Sequence, residues 1–83
     1  MSKQEKLLSA LRESKSTFEW DKLCVLMSSL GYRLVERAGS RVVFIHNDDD
    51  SDRLHLHKPH PENYLKGGAL KSVKMYLKDK GRI

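Results

Sequence analysis

The sequence predicts a small α+β domain in the order α-β-β-β-α, preceded by one further helix. Three observations support this fold class. Apolar residues recur at helical spacing from Thr17 to Leu30, alternate with polar residues between Tyr32 and Lys58, and return to helical spacing from Gly68 to Lys80. The 83 residues suffice for one domain with a thin core. The sequence contains no internal repeat and no linker long enough to separate two domains.

The N-terminus predicts a short helix outside the main domain. Lys3 to Glu13 carries three leucines on one side, and a polar break follows it. We therefore assign residues 1–15 to an N-terminal helical extension and residues 16–83 to the α-β-β-β-α domain. The extension has no apolar run, so we predict neither a signal peptide nor a membrane span. The lone Cys24 excludes an internal disulfide, and we expect a cytoplasmic protein.

The helix that opens the main domain has signals at both ends. Ser16 followed by Glu19 fits a capping box, in which each side chain satisfies the free backbone N–H of the other residue. Gly31 lies where a left-handed residue commonly ends a helix. These signals predict a helix over Thr17 to Leu30, and helical spacing places its apolar residues in the core. Those residues are Trp20, Leu23, Leu26, Met27 and Leu30.

Period-two alternation then predicts an antiparallel meander of three short strands. A glycine-containing turn joins the first two strands, and a polar, acidic loop that we expect to be a solvated hairpin tip joins the last two. Two prolines end the third strand, because proline cannot donate to a strand ladder. The predicted elements are strands at Tyr32–Glu36, Ser40–His46 and Arg53–Lys58, a turn at Ala38-Gly39, a loop at Asn47–Asp52 and a last helix from about Gly68 to Lys80.

Alternation also assigns the residues of the strands to the two faces of the sheet. His55 and His57 are predicted to project from the face opposite the core, and antiparallel pairing places Arg41 close to His57. Apolar residues also project from that outward face, and we expect the N-terminal helix or a partner protein to cover them. The predicted core residues of the last two strands are Val42, Phe44, Leu54 and Leu56, and the outward apolar residues are Val35, Val43 and Ile45.

The most evident chemistry lies in a cluster of histidines. Three of the four histidines fall within six residues, in His55-Leu56-His57-Lys58-Pro59-His60-Pro61. Imidazole can both take and give a proton near neutral pH. The 16 Lys+Arg against 11 Asp+Glu give a formal net charge of +5, which favours an anionic partner such as nucleic acid. A histidine-rich strand end that leads into a glycine-opened, lysine-rich helix therefore indicates the handling of phosphate.

Four segments of the sequence resemble those of a known family in their residues, their order and their spacing. They are Leu30-Gly31-Tyr32, Ala38-Gly39-Ser40-Arg41, His57-Lys58-Pro59-His60-Pro61 and Lys66-Gly67-Gly68-Ala69-Leu70-Lys71-Ser72-Val73. From Trp20 onward the chain resembles HicA toxins, the RNA-cleaving half of the HicA–HicB toxin–antitoxin pair. The resemblance implies a fold similar to a double-stranded-RNA-binding domain, with helices on one face of the three-stranded antiparallel sheet. It also implies metal-independent cleavage of messenger RNA, without a cofactor, and neutralisation by a HicB antitoxin.

The chain departs from that family at one position. Typical members carry a histidine directly after the Gly-Ser pair, which is their presumed catalytic residue, whereas this chain has Arg41. We expect His57 to act as the base and His60 as the acid, with Arg41 and Lys58 on phosphate because a guanidinium fork matches two phosphate oxygens. The predicted catalytic residues are His57 and His60, and the predicted RNA-binding residues are Ser40, Arg41, Lys58, Lys66, Lys71, Lys74 and Lys78.

Several alternatives stay open on the sequence alone. With Arg41 in place of the histidine, the chain could be a non-catalytic RNA-binding module, or its apolar sheet face could make it a protein-interaction domain. The three clustered histidines could bind a transition metal, but no fourth ligand is evident and we expect no metal. They could also be exposed residues without a role, and the lysines of the last helix a solvated face. Whether the chain forms a homodimer is open as well.

Overall fold

Residues 2–83, which the computed structural model describes, fold into three helices, a three-stranded antiparallel sheet and a separate two-stranded sheet. Strand order in the larger sheet is β2-β3-β4, and β1 pairs with β5. The predicted helices and strands are all present, most with ends shifted by one to four residues. The elements are α1 (Lys3–Glu13), β1 (Thr17–Glu19), α2 (Trp20–Ser29), β2 (Tyr32–Glu36), β3 (Arg41–His46), β4 (Asp49–His57), β5 (Tyr64–Lys66) and α3 (Gly67–Asp79).

The core lies between the helices and one face of the β2-β3-β4 sheet. Phe44 is among its largest fully buried side chains, and the Trp20 ring packs against it with 5.9 Å between ring centroids. Every helix contributes leucines to this cluster, which buries apolar surface that no single element could bury alone. The arrangement is the predicted α+β fold, similar to a double-stranded-RNA-binding domain. Of the predicted core residues, Leu30 is half-buried against the core and the others are buried, namely Val42, Phe44, Leu54, Leu56, Trp20, Leu23, Leu26 and Met27.

The register between β3 and β4 confirms the predicted faces of the sheet. Val42 lies opposite Leu56, and Phe44 lies opposite Leu54, all four on the core side. The same register pairs Arg41 with His57, so the two residues are cross-strand neighbours on the outward face. The side chains of His55 and His57 are exposed there, as predicted.

The outward apolar residues are covered within the chain itself, and not by the N-terminal helix. Val43 is 0% exposed and Ile45 is 4% exposed. The predicted cover by α1 is wrong, because α1 packs against α2 and places Leu7 and Leu11 in the core. By register, the neighbours are Val35 and His55 at Val43, and Arg33 and Arg53 at Ile45.

The predicted capping box is replaced by a strand. Thr17–Glu19 forms β1, which pairs with β5 and sets Phe18 opposite Leu65, both buried in the core. Helix α2 therefore begins only at Trp20, whose backbone N–H donates to the Asn63 carbonyl at 3.0 Å. Burial of the two apolar side chains in the core, together with the strand hydrogen bonds, outweighs the local cap.

The acidic loop predicted at Asn47–Asp52 is shorter than expected, because β4 begins at Asp49. Asp52 continues the core-side alternation of β4 and is 4% exposed, so its assignment to a solvated loop is wrong. The Tyr32 hydroxyl donates to its carboxylate at 2.9 and 3.0 Å. The Tyr76 hydroxyl also donates to it, and Arg82 Nη2 lies 3.3 Å away. The partners that stabilise this buried charge come from β2, α3 and the C-terminal tail.

The surroundings of Asp52 keep it ionised. Burial by itself raises the pKa of this carboxyl, but hydrogen bonds from Tyr76 and Tyr32 and the charges of Lys80 and Arg82 outweigh burial, so the pKa of Asp52 lies below its ordinary value. A carboxyl with a lowered folded-state pKa contributes stability above its unfolded pKa, and that contribution is lost as pH falls through the folded value. Asp52 therefore stabilises the fold at neutral pH.

We expect Asp52→Asn to lower the free energy of unfolding by about 2–3 kcal/mol at pH 7, because it removes a buried charge from its donors. Urea denaturation followed by circular dichroism measures this. Asp48→Asn, an exposed change in the same acidic run, is the matched control and should stay within about 0.5 kcal/mol of the parent. The difference in free energy of unfolding between Asp52→Asn and the parent should shrink as pH falls below about 4. An equal loss of unfolding free energy in Asp52→Asn and Asp48→Asn would contradict this role for Asp52.

Candidate active site

An open groove lies on the outward face of the sheet, where β3 begins and β4 ends. Its volume is about 330 Å³, and it contains both members of the Arg41–His57 pair. No Asp or Glu of residues 2–83 lines it, so the charge of its lining is positive. Such a groove attracts anions. The lining residues are Arg37, Arg41, Val42, His55, Leu56 and His57.

The β2–β3 hairpin positions Arg41 at the groove. Gly39 provides the turn with φ of +69°, and a Cβ added there would meet nothing within 4 Å, so the backbone conformation rather than space favours glycine. The Arg37 N–H donates to the Arg41 carbonyl at 2.9 Å and closes the hairpin. Arg41 Nε donates to the Ala38 carbonyl at 3.3 Å. Within the described chain the two terminal nitrogens of Arg41 have no hydrogen-bond partner, which leaves them available to a ligand.

The segment after β4 is tied to the same hairpin. The Lys58 N–H donates to the Ser40 carbonyl at 2.7 Å, which holds Lys58 and the residues after it beside the turn. A second depression of about 270 Å³ lies between the two segments. The structure thus brings the predicted residues Ser40, Arg41, His57 and Lys58 to one end of the sheet. The second depression is lined by Glu36, Gly39, Ser40, Lys58, Pro59 and His60.

His57 and His60 share a third groove, of about 250 Å³. His57 also lines the first groove, so it borders both. Lys66 Nζ lies 3.3 Å from Glu62 Oε1 in the third groove. A backbone hydrogen bond and the Lys66 ammonium lower the pKa of Glu62, so its carboxylate balances that lysine. The lining residues are His57, Lys58, Pro59, His60, Glu62, Tyr64, Leu65, Lys66 and Ala69.

The lysines of α3 lie outside these three grooves, although they were predicted to bind RNA. Lys71 lines a depression with Lys15, and Lys78 lines another with Arg12. Lys74 is half-buried, and its ammonium donates to the Ser14 carbonyl, which ties α3 to the end of α1. None of these three predicted RNA-binding lysines therefore lines a groove that contains His57.

The two ends of β4 differ in charge. From Asp49 to His57 the strand spans about 26 Å, with carboxylates at its start and imidazoles at its end. At the acidic end, Arg33 Nη2 lies 3.2 Å from Asp50 Oδ1, so that arginine is already paired. Arg37 and Arg41 at the opposite end have no carboxylate within 4 Å among residues 2–83. A polyanion is therefore drawn to the end that carries His57.

His46 has a structural role at the acidic end. Its Nδ1 accepts a hydrogen bond from the Asp48 N–H at 3.1 Å, and its ring packs edge-on against Tyr32 with 5.0 Å between centroids. Gly31 has φ of +94°, the predicted left-handed residue after α2, and an added Cβ there would lie 2.9 Å from His46 Nε2. Both the backbone and this close approach therefore require glycine.

Across residues 2–83, no three His, Cys, Asp or Glu side chains are grouped so that they could hold a metal ion. Within the same range, no helix has the length and apolar character needed to cross a membrane.

Arg37 and Tyr64 line the grooves but were not among the predicted site residues. Arg37 lines the first groove, and its position just before the Ala38-Gly39 turn, across from Arg41, could have indicated it. Tyr64 lines the third groove, but it lies in β5, a three-residue strand that is too short to show a period. No local signal pointed to its position beside the histidines.

A protein-family model matches most of the chain. The family is described as "HicA toxin of bacterial toxin-antitoxin", and the match covers residues 20–81. It runs from the start of α2 to just beyond the end of α3, so it contains every residue that lines the three grooves. No curated protein and no solved structure matches the chain.

We expect inorganic phosphate to bind at the Arg41–His57 groove. Titration of the isotope-labelled protein at pH 7 and low salt should shift the side-chain NMR signals of His57 and Arg41, because the groove offers cations without competing carboxylates. The signals of His46 should stay in place and serve as the internal control, and Arg41→Ala should reduce the shift at His57. Shifts confined to the lysines of α3 would show that the groove does not attract phosphate.

Proposed function

The chain belongs to the HicA toxin family of bacterial toxin–antitoxin systems, and from this premise we propose that it is a metal-independent endoribonuclease that cleaves messenger RNA. The observation that carries the proposal is the cross-strand pairing of Arg41 with His57, which sets a guanidinium and an imidazole in one open, positively charged groove. We also propose that it acts in the cytoplasm and that a HicB-like antitoxin holds it inactive, as the family implies.

The proposed chemistry uses the 2′-hydroxyl of the RNA as the nucleophile. A base removes the hydroxyl proton, and the O2′ electron pair attacks the adjacent phosphorus to form a phosphorane. A cation stabilises the added negative charge, and an acid protonates O5′ as the P–O5′ bond breaks. The products are a 2′,3′-cyclic phosphate and a 5′-hydroxyl. Imidazole and cationic side chains can supply the base, the cation and the acid that these steps need, without a metal.

His57 is the proposed general base. It occupies the last position of β4, where the pairing with β3 fixes its backbone and the side chain is exposed to the groove. A neutral imidazole can accept the 2′-hydroxyl proton near neutral pH. Because His57 lines both the first and the third groove, the RNA on the two sides of a ribose placed beside it can extend into these grooves.

Arg41 and Lys58 are the proposed phosphate contacts. The Arg41 Nε bond to the Ala38 carbonyl orients the guanidinium while its terminal nitrogens stay available to two phosphate oxygens. Lys58 follows His57 directly, and its backbone bond to Ser40 keeps it near the hairpin. The Ser40 hydroxyl has no partner within residues 2–83 and can donate to a phosphate oxygen. These donors stabilise the charge that grows on the phosphorane.

His60 is the proposed general acid. It shares the third groove with His57, so an RNA strand that passes through this groove meets one histidine and then the other. A protonated imidazole can give its proton to the leaving O5′ and so completes the pair of proton transfers. Pro59 and Pro61 on either side restrict the backbone at this position.

One observation favours a second candidate function. Arg41 stands where typical HicA toxins carry their presumed catalytic histidine, so the chain could bind RNA in the same groove without cutting it. A protein-interaction domain that docks through apolar residues of the outward face has less support, because Val43 and Ile45 are buried by their own sheet.

We expect His57→Ala to lower the rate of RNA cleavage by about 10²- to 10⁴-fold, because it removes the base. Purified proteins are compared on end-labelled RNA with EDTA present, and the products are mapped for cyclic phosphate ends. Met75→Ala, an exposed change on α3, controls for purification and should cleave like the parent. Unchanged cleavage by folded His57→Ala, or dependence of the parent on a divalent ion, would contradict the mechanism.

The enzyme and the binding module differ in the effect of changing Arg41. For both candidates, Arg41→Ala weakens RNA binding and makes the negative slope of log K against log salt shallower by about 1, and only the enzyme cleaves RNA with Arg41 in place. Filter binding at several salt concentrations measures this slope. Cleavage by Arg41→His alone, with none by the parent, would identify the chain as a binder.

A further inference from the structure

The aromatic residues of this chain are distributed unevenly between core and surface. All six lie within residues 2–83, and four of them are buried. Tyr76 is half-buried, and its hydroxyl is bound to Asp52. Tyr64 is 36% exposed, and within the described chain its hydroxyl has no hydrogen-bond partner. Tyr64 is therefore the aromatic ring that a ligand can reach. The four buried residues are Phe18, Trp20, Tyr32 and Phe44.

The backbone holds the Tyr64 ring outward. In the small sheet, Leu65 lies opposite Phe18 and both point into the core, so alternation directs the neighbouring Tyr64 to the other side. Tyr64 itself lies opposite Glu19, and the bond from the Trp20 N–H to the Asn63 carbonyl fixes the chain immediately before it. The ring is thus presented from a fixed strand and not from a loose loop.

The groove beside Tyr64 has both apolar and cationic lining. Tyr64, Pro59 and Ala69 supply apolar surface. Lys58 and the two proposed catalytic histidines supply polar and cationic groups, while Lys66 is paired with Glu62 in the same groove. A free phosphate ion would use only the second set. A nucleotide matches both, because its phosphate is anionic and the faces of its base are apolar.

We propose that Tyr64 stacks against an unpaired nucleobase next to the scissile phosphate. The inference rests on the proposed function, since it names a substrate contact of the same site. Every base has a π face, so this contact tolerates sequence variation, but it requires a base that is free of a duplex. The site therefore selects single-stranded RNA over double-stranded RNA.

The test measures affinity for a single-stranded oligoribonucleotide with methylated 2′-hydroxyls, which cannot be cleaved by the proposed route. Tyr64→Ala should weaken binding by about tenfold or more, and Tyr64→Phe should bind within about twofold of the parent, because stacking needs the ring and not the hydroxyl. With a matching strand that lacks bases, the parent and both variants should bind equally. Met75→Ala is the surface control, and circular dichroism verifies that each variant is folded.

Several results would overturn the stacking contact. One is that Tyr64→Ala binds the strand with bases as tightly as the parent does. Another is that Tyr64→Phe loses as much affinity as Tyr64→Ala. The third is that Tyr64→Ala loses as much affinity for the strand without bases as for the strand with bases. Because the assay reads binding, its outcome is separate from cleavage. If the parent never cuts RNA but binds it through Tyr64, the nuclease proposal fails and the stacking proposal stands. If the parent cuts RNA and Tyr64→Ala binds RNA as tightly as the parent, the nuclease proposal stands and the stacking contact is ruled out.

Discussion

Antiparallel pairing of β3 with β4 places Val42 opposite Leu56 and Phe44 opposite Leu54, and burial of these side chains under the helices holds the two strands in one register. Because side chains alternate between the faces of a sheet, a slip of one residue would turn the core residues outward and the histidines inward. The same register sets Arg41 beside His57 on the outward face. The positions of the groups at the proposed active site therefore follow from how the opposite face is packed.

Near the start of β4, polar interactions with a buried carboxylate hold the strand in place. Asp52 takes the next core-side position of the strand, and its carboxylate collects donors from β2, α3 and the C-terminal tail. Such a buried charge is tolerated only because its donors are present, so it ties these elements together in one arrangement. Stability and the proposed chemistry thus occupy opposite ends of one strand. The acidic, structural end disfavours an anion such as the proposed RNA substrate, and the free arginines favour its approach to the end with His57.

The parts of the fold that have a clear period were predictable from the sequence. Helical and alternating patterns gave the helices, the three strands of the main sheet and their faces, and hence the neighbourhood of Arg41 and His57. The small sheet was not predictable, because three residues show no period and the contact of Phe18 with Leu65 joins distant parts of the chain. Asp52 was misassigned because an acid in a polar run normally faces solvent, and only its distant partners reveal its burial. The separation of the α3 lysines from the groove also depends on packing between elements.

The central claim is that Arg41 and His57 hold one ribose-phosphate between them. The most direct measurement is a crystal structure of the protein with a short RNA strand whose 2′-hydroxyls are methylated. We expect one phosphate within hydrogen-bond distance of the Arg41 guanidinium, with the adjacent ribose against the His57 imidazole. An RNA strand bound along the lysines of α3, with the groove at His57 left empty, would contradict it.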